Sequence, residues 1–158
     1  MAVNRDFEEM LSALNRCGAR YLVVGAHAVM HYAEPRFTKD IDIWVGRTPE
    51  NAARVWEALK RFGAPLAGIA PGDFAARDMV YQLGVEPNRI DIVTGITGVT
   101  FAAAWKHRKK TRYGKQPVFI LGLAELKRNK RAVGRKQDLL DLENLARARG
   151  RRPRAPRQ

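Results

Sequence analysis

Residues 40–45 read Asp40-Ile41-Asp42-Ile43-Trp44-Val45. Acidic and apolar side chains alternate at its start with the period of two that a strand imposes. Ile41 and Ile43 therefore face one side, and Asp40 and Asp42 the other. Two residues of strand set the carboxylates about 7 Å apart at the backbone. Like charges so placed repel, and burying them uncompensated costs several kcal/mol per ion. A divalent cation is the usual compensation, and oxygen ligands on a rigid strand suit Mg2+. A second acid in the same setting stands in Arg89-Ile90-Asp91-Ile92-Val93. If that strand neighbours the first, three carboxylates converge. Three can hold two metal ions about 3.5–4 Å apart, as phosphoryl-transfer sites require.

Upstream, Tyr21 to Val24 is a short apolar run that reads as a buried strand, and it passes through Gly25-Ala26 into a helical stretch ending at Tyr32. Glycine there permits close backbone approach, and the free N–H groups of a helix start can take a phosphate. A lone Asp-x-Asp matches often by chance and is more often a solvated strand end. The phosphate-type turn on one side and Asp91 on the other make the ensemble read as a nucleotide site.

Outward from this centre the chain alternates strands and helices. Phe7, Met10, Leu11, Leu14 and Cys17 recur at helical spacing, and Gly18 stops that helix. Thr48-Pro49-Glu50 opens another helix, with Ala52, Val55, Trp56, Leu59 and Phe62 as its apolar stripe. Residues 63–78 read as loop, and residues 79–84 as a strand. Residues 101–106 read as a short helix, and 117–121 as a last edge strand with proline at its start. Helices over 123–133 and 135–149 are broken at Gly134. This order predicts a single α/β (α+β) domain over residues 1–149: a mixed β-sheet flanked by helices, ending in C-terminal helices. Residues 150–158, rich in arginine and proline, are expected to form a disordered tail.

Twenty-nine basic residues against 16 acidic give a net charge of +13. Residues 106–136 hold 12 of the basic side chains against the single acid Glu125. Such asymmetry suggests an anionic partner, although a solvated cationic face would look the same. In Lys106 to Tyr113, five of eight positions are lysine or arginine, a density suited to RNA phosphates. Trp105 beside it is a candidate for base stacking. Cys17 is the only cysteine, which excludes a disulfide framework and a four-cysteine zinc site. No run approaches the ~20 apolar residues of a membrane span, and the N-terminus lacks a signal-peptide core. The expectation is a cytoplasmic protein with no membrane partner.

Gly25-Ala26-His27-Ala28, the run Glu34-Pro35-Arg36-Phe37-Thr38-Lys39-Asp40-Ile41-Asp42-Ile43 and the later Asp91 resemble the nucleotidyltransferase superfamily with the DNA polymerase β-type fold. More narrowly, they are similar to its small stand-alone prokaryotic members related to AbiEii-type toxins. The late helices of that family carry a lysine followed by Gly-Arg-x-x-Asp, matched here by Lys127 and Gly134-Arg135-Lys136-Gln137-Asp138. The resemblance spans roughly residues 20–145. One departure is Ala26, where the family has Gly or Ser; alanine keeps the backbone donor but offers no hydroxyl.

The resemblance implies that Asp40, Asp42 and Asp91 hold two Mg2+ ions, with Mn2+ as an alternative, and act as the catalytic acids. It implies an NTP whose phosphates meet Gly25, Ala26, Arg36, Thr38, Lys39, Lys127 and Arg135. Asp138 would support the site by orienting Lys127 or Arg135; Asp141 is either a second carboxylate beside it or a surface residue. The implied activity moves NMP from the NTP to an acceptor hydroxyl and releases pyrophosphate. The acceptor is RNA, notably tRNA, or protein, and a toxin-type member would pair with an antitoxin protein. Two alternatives stay open. One is a small-molecule adenylyltransferase of the antibiotic-modifying type, although a cationic drug needs an acidic pocket. The other is a non-catalytic nucleotide- or RNA-binding protein of the same fold.

Overall fold

The computed structural model describes residues 3–38 and 40–150, with side chains to residue 148. Lys39 and residues 151–158 of the expected tail lie outside the described residues, while Gly150, expected to open that tail, ends the last helix. Six helices and six strands follow in the order α1 (Arg5–Arg16), β1 (Tyr21–Val24), α2 (Gly25–Tyr32), β2 (Asp40–Val45), α3 (Pro49–Phe62), β3 (Val80–Leu83), β4 (Arg89–Val93), α4 (Phe101–Lys106), β5 (Lys109–Tyr113), β6 (Gln116–Ile120), α5 (Leu123–Val133) and α6 (Lys136–Gly150).

The strands form one mixed sheet in the order β3-β4-β2-β1-β6-β5. β2 with β4 and β1 with β6 are parallel, and the other pairs antiparallel. The chain is thus α+β, as the sequence predicts. Among the described residues, no helix is long and apolar enough to cross a membrane.

Alternation divides the sheet into two faces. Val23, Ile41, Ile43, Ile90 and Ile92 are buried on one, beneath α1 and α3. Burying a side chain of this size stabilises the fold by about 1.5–3 kcal/mol. The helices are punctuated as the sequence suggests. Asn4 caps α1 and Thr48 caps α3, with proline in its first turn; Gly63 ends α3 in the left-handed region. On the opposite face Leu22 and Trp44 are buried at one end of the sheet, Trp44 standing edge-on to Phe101 of α4 at 5.1 Å. The other end of that face carries the acids of β2 and β4.

Two expectations change. Lys109 to Tyr113, read only as a basic run, is strand β5. It pairs with β6 over the register Lys109↔Ile120 to Tyr113↔Gln116. Consequently β6 is not an edge strand: β5 takes the edge, where lysines discourage further pairing. Pro117 still fits, and its carbonyl accepts a 2.7 Å hydrogen bond from Asn15 of α1. Within the loop expected over residues 63–78, Pro71–Ala75 form a short 3-10 turn that buries Phe74.

Candidate functional site

Parallel pairing of β2 with β4 sets Asp42 opposite Asp91 and Asp40 opposite Arg89. Antiparallel pairing of β1 sets Val24 opposite Asp42, which brings Gly25 to the same spot. One oxygen from each of Asp40, Asp42 and Asp91 lies within 4.8 Å of the other two. This crowding raises the affinity of the acids for protons. Burial first, then the charges of Asp40 and Asp91, push the Asp42 carboxyl up to about 7, while Lys130 pulls the other way. Asp91 is raised too, by burial first and then by Asp40, against the pull of Arg89.

Arg89 supplies part of the missing positive charge. Its guanidinium is ion-paired with Asp40 and lies 3.2 Å from Asp91 through Nε, with Glu86 further off at 3.8 Å. Even so, Asp91 Oδ1 is buried without an aligned hydrogen bond. Three carboxylates crowded within 4.8 Å, with one arginine shared by two of them, are a donor set that fits a hard divalent cation.

Gly25 closes the other side. Its φ is +64°, and a Cβ there would fall on the Asp42 carboxylate, so both conformation and space demand glycine. It opens α2, whose N-cap Val24 contributes no side-chain hydrogen bond. The first-turn amides of α2 are therefore not capped from Val24 beside a cavity of about 980 Å3 that also reaches Asp40 and Asp42.

Gly25, Ala26, Arg36, Thr38, Arg135 and Asp138 all line that cavity with the acids of β2; Lys127 does not. Its place is taken by Lys130, one turn further along α5. Lys130 is buried and ion-paired to Asp138 at 3.2 Å and Asp141 at 3.0 Å. Arg36 grips Asp141 from the other side through Nε at 3.0 Å and Nη2 at 3.2 Å. Asp138 also accepts from the Arg135 backbone N–H and Nε, at 3.1 and 3.0 Å. Burial pushes Asp138 up, but the bonds from Arg135 and Lys130 win and hold it below the usual carboxylate range. Thr38 caps the strand entry, its hydroxyl accepting from the Asp40 N–H at 3.1 Å.

Arg89, Lys130 and the buried role of Asp141 escaped the sequence reading. Two signals were there to find. Lys130 falls in the stripe Leu123, Leu126, Lys130, Val133, where a core residue is expected. Arg89 sits two residues before Asp91, on the same strand face. His27 packs edge-on to Phe7 at 5.7 Å and to Tyr113 at 6.0 Å. Trp105 is not free to stack on bases, since Phe101 and Arg108 occupy its faces. Neither a protein-family model nor a curated protein sequence matches the chain.

Proposed function

We propose that the protein is a metal-dependent nucleotidyltransferase of the superfamily its sequence resembles, moving NMP from an NTP to an acceptor hydroxyl. One observation carries the reading: three carboxylates from adjacent parallel strands meet within 4.8 Å, directly against a helix start that must be glycine. Carboxylates and a phosphate-binding turn are the two halves of a nucleoside triphosphate site.

Divalent cations bound by Asp40, Asp42 and Asp91 would supply Lewis-acid stabilisation of the phosphates and neutralise the site. The chain's own groups do the rest. The amides of Gly25 and Ala26 receive phosphate oxygens, so the missing hydroxyl at Ala26 removes one donor without removing the cradle. Arg36 and Arg135 bring positive charge to the phosphate side of the cavity, where negative charge develops. Asp91, on the strand beside β2, receives the proton of the acceptor hydroxyl. The acceptor oxygen bonds to the α-phosphorus as the bond to pyrophosphate breaks, and pyrophosphate carries the electron pair away.

The basic surface favours RNA, tRNA included, over a protein acceptor. A cytoplasmic toxin partnered by an antitoxin protein is the biological setting the resemblance suggests. The antibiotic-type reaction is disfavoured because the cavity holds Arg36, Arg89, Lys130 and Arg135, which would repel a cationic drug. One observation favours the non-catalytic alternative: Arg89 already occupies two of the three carboxylates. Turnover decides between them. The protein is incubated with each α-labelled NTP, Mg2+ and total cellular RNA, beside Asp42→Asn. Label in RNA with the parent protein alone is the expected result. Equal labelling by Asp42→Asn refutes the carboxylate mechanism. Nucleotide binding without labelling of RNA or protein leaves the binding-protein reading.

A further inference from the structure

A second concave surface lies at the far end of the sheet, and the reaction above does not use it. β2 runs from Asp40 to Val45, so Gly46 stands about 13 Å along the strand from Asp42. There the start of β1, the exit of β2 and the first turns of α3 and α4 enclose a groove of about 860 Å3. Arg20, Arg47, Arg54 and Lys106 line it, with Glu50 as the only acid. None of the four cations forms an ion pair with a carboxylate among the described residues.

The groove is built on rigid parts. Asn51, at the start of α3, is buried and uses its whole amide to tie two strand ends together. Its Nδ2 donates to the Gly46 carbonyl at 2.6 Å and the Arg20 carbonyl at 3.0 Å, and its Oδ1 accepts from the Arg20 N–H at 2.7 Å. The Arg20 guanidinium lies over the Trp105 ring, 5.2 Å from its centroid, and Arg108 covers the same ring at 4.0 Å. Trp105 stacks on Phe101, which stands against the buried Trp44. Guanidinium groups resting on an aromatic row rooted in the core have lost part of their freedom before any ligand arrives.

We propose that this groove binds the phosphodiester backbone of single-stranded RNA, at a site separate from the carboxylates. The cations come from four separate stretches of chain, the approach to β1, the exit of β2, α3 and α4, which suits a chain of repeated charges better than one phosphate. Guanidinium planes offer stacking surfaces to unpaired bases, which an acidic peptide would leave unused. As an acceptor site this rests on the transferase reading; as a binding site it does not. Where both hold, an RNA must reach about 13 Å from groove to Asp42, so very short oligonucleotides make poor acceptors.

The test measures fluorescence anisotropy of a labelled single-stranded RNA of about 12 nucleotides, within the usual site size, with EDTA and no NTP. The double variant Arg47→Glu/Arg54→Glu is expected to lose at least about tenfold in affinity, with a shallower dependence on salt. Arg47→Lys/Arg54→Lys is expected to retain most of it. Thermal melting of each variant checks the fold. Equal binding by the double-Glu variant and parent overturns the proposal, as does tighter binding of poly-glutamate than of RNA. RNA binding that depends on the groove, with no labelling of any RNA, would keep this site and discard the transferase. Labelling that survives the double-Glu change undiminished would do the reverse.

Discussion

Replacing Asp42 with asparagine should stabilise the metal-free protein, and the gain should grow with pH. Folded Asp42 keeps its proton to about 7 because burial and two neighbouring carboxylates oppose its charge, whereas the unfolded chain releases it near 3.8. Between those values the folded state binds more protons than the unfolded. The stability from the protonated form is therefore complete below about pH 3.8 and is lost as pH rises toward 7. A displacement of that size corresponds to about 4 kcal/mol. Asp91 is raised beside it and competes for the same proton, so about 2–4 kcal/mol is the expected difference at pH 8. Urea unfolding of both proteins in EDTA from pH 4.5 to 8 measures it, since titrations common to both cancel. The margin of the asparagine variant should rise steadily across that range. A margin that does not change with pH, or a parent more stable at pH 8, would refute the electrostatic account. Mn2+ should then raise the stability of the parent and leave the variant unmoved.

Arg89→Ala should bind Mn2+ more tightly by calorimetry without nucleotide, since the cation paired with Asp40 and Asp91 has gone; unchanged affinity would show that Arg89 does not compete. Gly25→Ala should cost about 1–2 kcal/mol for the left-handed conformation alone, and should abolish Mg·NTP binding in the same titration. Lys130→Ala should destabilise by about 1.5–3 kcal/mol, because Asp138 and Asp141 lose a buried charged hydrogen-bond partner and keep only Arg135 and Arg36 as charged partners. Lys127→Ala, by contrast, should stay within about 0.5 kcal/mol in urea unfolding.

The strand at 40–45 was legible because its two faces differ in polarity, and α3 because its cap, proline and apolar stripe agree. Gly25 was legible as a turn residue, though not its contact with Asp42, which depends on the pairing of β1 with β2. The β5 strand was hidden because an edge strand has one free side and tolerates Lys109, Lys110 and Arg112 at positions that look like a solvated run. α6 inverts the ordinary pattern. Asp138, Asp141 and Leu145 face inward, while Leu139 and Leu140 are about half exposed. A hydrophobic reading of α6 therefore turns the helix the wrong way and sends Asp141 to the surface. Choosing Lys130 over Lys127 needed the azimuth of α5 against α6, which only the tertiary packing supplies.

The ties from Asp138 and Asp141 to Lys130 and Arg36 also bear on when the site comes into being. Arg36 precedes the first metal-binding candidate by four residues, yet its anchor is Asp141, 105 positions later. On the ribosome the sheet strands emerge before that anchor does. Until α6 emerges, Arg36 and Lys130 lack their carboxylate partners, and the phosphate side of the cavity has no fixed wall. A nascent chain would hold its acids in place but could not yet organise the cations that face them across the cavity. That wall of the cavity would then form late and abruptly, with the first two turns of α6.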